Sequence, residues 1–174
     1  MDIKVYRNMD SKCQKMLDSL LLKIENRQDL FNCAFCSFFN ALSLTHLDSR
    51  MEDELDTAIT LTKYVDDQEA ETAIICYFLS IYMRIIRVSE TSLTEIYSKD
   101  FIKTAQSINC INNKIEELSL IDDTHLFSEL IYNMIKGKRI VACIILAEHL
   151  QRLRMPTDLA DYKREKGLFG HSCG

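Results

Sequence analysis

The chain has 174 residues, of which 47% are hydrophobic and 27% charged, and it contains only 4 Gly and 1 Pro. That composition excludes disorder, and the length suits one compact domain or two small helical halves sharing a core. Gly137 is the sole Gly or Pro before Pro156. Sandwiches, barrels and propellers, which need turn residues about every 8–12 positions, are therefore excluded, as are Gly-rich nucleotide loops.

The formal charge of −5 is unevenly spread. Residues 45–75 hold Asp48, Glu52, Asp53, Glu54, Asp56, Asp66, Asp67, Glu69 and Glu71 against Arg50 and Lys63. Residues 136–154 hold Lys136, Lys138, Arg139, Arg152 and Arg154 against Glu148 alone. Two poles favour head-to-tail association or a local anion site; the plainer reading is a solvated acidic helix beside a basic one.

Helical periodicity runs through the chain. Met16, Leu17, Leu20, Leu21 and Ile24 mark a first helix capped by Asp10 or Ser11. Asp29 is expected to cap a second, whose stripe is Phe31, Ala34, Phe35, Phe38, Phe39 and Leu42. The third, about 49–64, places Met51, Leu55, Ala58, Ile59 and Thr62 on one face and the acidic cluster on the other. A fourth, about 68–88, capped by Asp66 or Asp67, is apolar nearly all round from Ala70 to Ile86. It is expected to be a central helix wrapped by others.

Ser92-Leu-Thr-Glu95 reads as a capping box opening a fifth helix with Ile96, Phe101, Ala105 and Ile108 inward. A shorter helix at about 111–120 follows. Asp123 is expected to cap the next, with Leu126, Phe127, Leu130, Ile131, Met134 and Ile135 inward. Gly137 ends it. The helix at about 138–154 turns Ile140, Val141, Ile144, Ile145, Leu146 and Leu150 inward and stops before Pro156. Thr157 or Asp158 is expected to cap a last short helix to Lys166. The fold class is all-α: a bundle of eight or nine helices in two packed halves, 1–90 and 91–174, with a shared core and no true linker.

Seven cysteines and no signal-peptide pattern point to free thiols in a reducing compartment, the cytosol. Cys33 and Cys36 form a C-x-x-C, but their apolar surroundings read as buried structural thiols, and no second pair completes a zinc site. The longest apolar stretch, Ala73–Met83, is shorter than the roughly 20 residues a membrane span needs. No nucleophile–base pair is present apart from His171-Ser172 in the tail, and the carboxylates of residues 48–56 sit on one helix rather than across a cleft. Neither an enzyme, a metal site nor a cofactor is expected.

Basic residues carry the functional reading. Lys4, Arg7 and Lys12 surround Tyr6; Arg84 and Arg87 end the central helix; Lys136, Lys138 and Arg139 are followed by Arg152 and Arg154. Such groups neutralise phosphates without reading bases, and an oligomer that turned them inward would multiply the contacts.

Phe35-Cys-Ser-Phe-Phe-Asn-Ala-Leu42, Cys76-Tyr-Phe-Leu-Ser-Ile-Tyr-Met-Arg-Ile-Ile-Arg87 and Leu146-Ala-Glu-His-Leu150 give the chain a layout that resembles closterovirus RNA-silencing suppressors of the beet-yellows-virus twenty-one-kilodalton type. The resemblance implies a non-enzymatic viral all-α protein of two helical halves. It would form a homo-oligomeric ring with a basic inner wall, bind small RNA without sequence preference and withdraw it from the host machinery. A second resemblance competes. Leu126-Phe-Ser-Glu-Leu130 followed by Gly137-Lys-Arg-Ile-Val-Ala142 is similar to the first homology motif of the B-cell-lymphoma-two apoptosis regulators, viral forms included. It implies helix-in-groove binding with Arg139 as the groove arginine. Where that motif has Asn-Trp-Gly before the arginine, this chain has Lys136-Gly137-Lys138.

Overall fold

The structure is a computed structural model and describes residues 2–45, 50–120 and 124–154. Among the described residues there are nine helices and no strand: α1 (Ile3–Arg7), α2 (Ser11–Leu21), α3 (Gln28–Leu44), α4 (Met51–Leu61), α5 (Asp67–Ile85), α6 (Glu90–Thr94), α7 (Lys99–Leu118), α8 (Thr124–Ile135) and α9 (Arg139–Arg154). The all-α expectation holds.

α5 is the axis of the bundle. Every side chain from Ala73 to Ile81 is buried, and α3, α4, α7 and α9 pack around it. An apolar circumference leaves no face for water, so the helix has to be wrapped. The phenylalanine stripe of α3 supplies the densest packing. Phe31, Phe35 and Phe38 surround Phe78, with ring centroids 6.1, 5.1 and 4.9 Å away. Each buried ring contributes about 1.5–3 kcal/mol. One hydrophobic cluster runs from Val5 on α1 to Ala147 on α9, so the core is common to both parts of the chain.

Arg139, at the start of α9, pairs with Asp66 and Glu69 beside the start of α5. Glu148 pairs with Arg84 in the last turn of α5. The two helices therefore run in the same direction. With 19 residues at about 1.5 Å each, α5 separates the two ends of the bundle by about 28 Å.

Several local expectations are corrected. α1 is a helix that residue spacing does not announce; it is five residues long and capped by Asp2. Asp10 caps α2 as expected, accepting from the Cys13 N–H at 2.8 Å. Asp29 does not cap α3. Glu71, on α5, does so instead, accepting the Asn26 and Arg27 N–H groups at 2.5 and 3.0 Å. Ser92-x-x-Glu95 is not a capping box that opens the long helix. Ser89 caps the short α6, taking the Ser92 N–H, and α7 starts after Ser98. Ile96 is consequently exposed. The separate helix near 111–120 does not exist, because nothing breaks α7 before Leu118.

The acidic α4 is not a solvated helix. α2 and α9 cover it, and Glu54 is buried. Leu126 and Leu146 are exposed rather than inward, and Cys33 is an exposed thiol rather than a buried one. Gly137 ends α8 with φ +74°, the left-handed conformation a helix stop favours. Asp123 as a cap, the expected helix at 157–166 and His171-Ser172 lie outside the described residues.

Candidate functional site

The ten expected phosphate contacts divide by what surrounds them. Three are committed within the chain. Lys12 on α2 pairs with Glu52 on α4. Arg84 donates to Glu148 at 2.9 Å and to Asn109 at 3.1 Å. Arg139 lies 2.7 Å from Asp66 and 3.6 Å from Glu69. Six others, Lys4, Arg7, Arg87, Lys136, Lys138 and Arg152, are exposed, and no hydrogen bond or ion pair engages their side chains among the described residues. The side chain of Arg154 falls outside the described part of the chain.

The six do not form one patch. Lys136 and Lys138 flank Gly137 at the tip of the α8–α9 hairpin, which the Arg139 pairs hold at the N-terminal end of α5. Arg87 lies just beyond the C-cap of α5, three residues after Arg84, and Arg152 lies one turn beyond Glu148. The Arg84–Glu148 pair therefore holds Arg87 and Arg152 at one end of the bundle, about 28 Å from the hairpin tip. Lys4 and Arg7 are on α1, tied to α2 by the Tyr6 hydroxyl, which donates to Asp18 at 3.0 Å.

Between the cations runs a buried polar network. Glu54 is 9% and Glu148 8% exposed. The Tyr77 hydroxyl donates to Glu54, and the Arg50 guanidinium reaches the other Glu54 oxygen at 2.9 Å. Glu148 takes Arg84 on one oxygen and the Asn112 amide, at 2.7 Å, on the other. Asn109 closes the network by donating to the Ser80 carbonyl at 2.9 Å. Helices α4, α5, α7 and α9 are tied together through polar atoms that would otherwise lie unpaired in the core. Burial drives the Tyr77 hydroxyl far above its ordinary range, helped by the Glu54 charge. Burial lowers the Arg84 guanidinium, but the Glu148 charge and hydrogen bond outweigh it and leave Arg84 above its usual value.

Sequence reasoning missed this network, yet its carboxylates were legible. Glu54 falls on the stripe Met51, Leu55, Ala58 and Leu61, and Glu148 on Val141, Ile144 and Ile145. A glutamate at an inward helical position requires a partner. The partners, Tyr77, Asn112 and Arg84, come from other helices and carry no such signal.

A shallow hollow of about 370 Å³ between the α2–α3 connection and the start of α5 is lined by Lys23, Glu25, Asn26, Asp67, Gln68 and Glu71. Burial raises the Glu71 carboxyl, but the N–H groups of Asn26 and Arg27 outweigh it and hold Glu71 below its ordinary value. That carboxylate is already engaged as the helix cap. Among the described residues no helix is long and apolar enough to cross a membrane.

Protein-family models, curated proteins and solved structures contain no match to this chain. The two resemblances therefore rest on the quoted residues alone.

Proposed function

We propose that the protein is a non-enzymatic RNA-binding protein that works as a homo-oligomer, a suppressor of RNA silencing of the kind found in closteroviruses, acting in the cytoplasm of the host cell. The observation that carries this reading is the set of six exposed cations that have no side-chain partner among the described residues. On a chain of net charge −5, three other expected contacts are neutralised internally and these are left open. Guanidinium and ammonium groups so placed bind phosphate oxygens and leave the bases unread. A single copy offers few of them at either end of the bundle, so useful affinity comes from several copies acting on one strand or duplex.

The helix-in-groove alternative depends on Arg139. That guanidinium already holds Asp66 and Glu69, which favours the RNA reading.

Titration of a short RNA duplex at two salt concentrations, with the oligomer mass measured in parallel by light scattering, tests the proposal. Binding at low salt that weakens as salt rises supports it. A chain that takes no duplex at low salt, or that instead saturates with one amphipathic peptide and loses that binding on Arg139→Ala, overturns it.

A further inference from the structure

We propose that Cys33 and Cys36 hold one soft monovalent cation of the copper(I) class between their sulfurs, with the Tyr97 hydroxyl as a hydrogen-bond donor to the site. Both cysteines lie on α3, which runs unbroken from Gln28 to Leu44. Both are free thiols, Cys33 exposed and Cys36 half-buried. Three residues apart, they occupy adjoining positions on one side of the helix, away from the Phe31, Phe35 and Phe38 stripe. Tyr97, in the connection between α6 and α7, supplies an independent observation. It is 3% exposed, and its hydroxyl is buried without a hydrogen-bond partner among the described residues. The groups whose charge reaches that hydroxyl are Cys33, Tyr82 and Cys36. A buried donor without an acceptor is costly, and an ionised sulfur beside it would supply the acceptor.

Spacing selects the ligand. On an α-helix, positions three apart hold their Cβ atoms about 5–6 Å from each other. A disulfide needs about 3.5–4.5 Å, so the helix opposes a direct S–S bond. Thiolate–metal bonds of about 2.3 Å let one bridging ion span sulfurs up to about 4.6 Å apart. The donor set then selects the ion. Among the described residues no group of three or more His, Cys, Asp or Glu side chains is placed to hold a metal, so the two sulfurs act alone. Zinc takes four such ligands, and magnesium and calcium take oxygen, so neither kind is served here. Copper(I) is soft, prefers thiolate and is satisfied by two sulfurs in line. On binding, two S–Cu bonds form and the two thiol protons leave to water; no electron is transferred. The bridged pair carries one negative charge. The Asp2 N–H donates to the Cys36 sulfur, and the Tyr97 O–H is the donor on the Cys33 side. Both donors favour charged sulfur.

Anaerobic titration of the reduced full chain with copper(I), against bathocuproine disulfonate as the competing chelator, tests the site. One ion per chain should bind. Cys33→Ser or Cys36→Ser should weaken binding about 100-fold or more, beyond the loss expected for an outer hydrogen-bond partner. Cys110→Ser, which removes an exposed thiol on α7, should leave it unchanged, and circular dichroism checks that each variant is folded. Tyr97→Phe should weaken copper(I) about tenfold. The metal-free Tyr97→Phe chain should melt no lower than the parent, since that hydroxyl has no partner to lose. In native alkylation, copper(I) should shield Cys33 and Cys36 and leave Cys110 reactive. A chain that takes no copper(I) from the chelator, or an affinity indifferent to both Cys33→Ser and Cys36→Ser, overturns the site. A Cys33–Cys36 disulfide formed in the folded chain by glutathione disulfide overturns it too, because the helix then does not hold the sulfurs apart. An affinity unchanged in Tyr97→Phe overturns the part given to the hydroxyl.

Discussion

The Arg139 guanidinium lies 2.7 Å from the Asp66 carboxylate, so the basic and acidic poles of the chain meet within one molecule. A field that reads as bipolar along the sequence is partly cancelled in the fold, at the N-terminal ends of α5 and α9. Lys12–Glu52 and Arg84–Glu148 repeat the effect elsewhere. The cations available to a ligand are those the fold does not use, and this distinction makes the first prediction possible.

Arg87→Ala combined with Arg152→Ala should weaken duplex RNA binding at every sequence. It should also reduce the slope of log affinity against log salt by about 0.9 for each phosphate that is no longer neutralised. Lys12→Ala, which removes a group already paired with Glu52, should leave that slope unchanged. Filter or fluorescence titration at several salt concentrations measures both.

Tyr77→Phe should destabilise the fold by about 1–3 kcal/mol in urea unfolding, because it strands a Glu54 oxygen in the core. Replacing Glu54 by Gln in the same chain should recover part of the loss, since a neutral amide is cheaper to bury than a carboxylate.

Glu148→Ala should cost about 3 kcal/mol or more, since it leaves Arg84 and Asn112 both without that carboxylate between α5, α7 and α9. Combining Glu148→Ala with Arg84→Met should cost less than the two single losses added together. A double-mutant cycle in denaturant reads that coupling.

Glu71 holds the start of α3 through two N–H groups, and its carboxyl sits below the ordinary value. The stability it supplies is complete above the unfolded carboxylate value of roughly 4.3 and is lost as pH falls through the lower folded value. Thermal melts of Glu71→Gln and the parent should therefore differ most near neutrality and converge in acid.

Alkylation at pH 8 should separate the thiols. Cys33 and Cys110 are exposed and should react in the native state. Burial pushes Cys13 up to about 11 and Cys76 up to about 12, so these two should react only on unfolding. Mass spectrometry of the labelled chain distinguishes the two outcomes.

Most of the fold was legible because each long helix carries its own apolar period. The stripes of α2, α3 and α5, the central place of α5 and the stop at Gly137 all follow from residue spacing within one segment. Capping was less legible. Ser92-x-x-Glu95 satisfies a local pattern, but Ser89 begins a helical turn first, and α3 is capped from another helix by Glu71.

The ten candidate cations were legible as residue types and not as a site. Local sequence decided which segments are helical and which of their faces are apolar, because those choices depend on neighbours three and four positions away. Tertiary structure decided which charges remain open, because a pair such as Arg84–Glu148 joins residues 64 positions apart. An ion pair depends on distance in space, and only packing of the helices around α5 determines that distance.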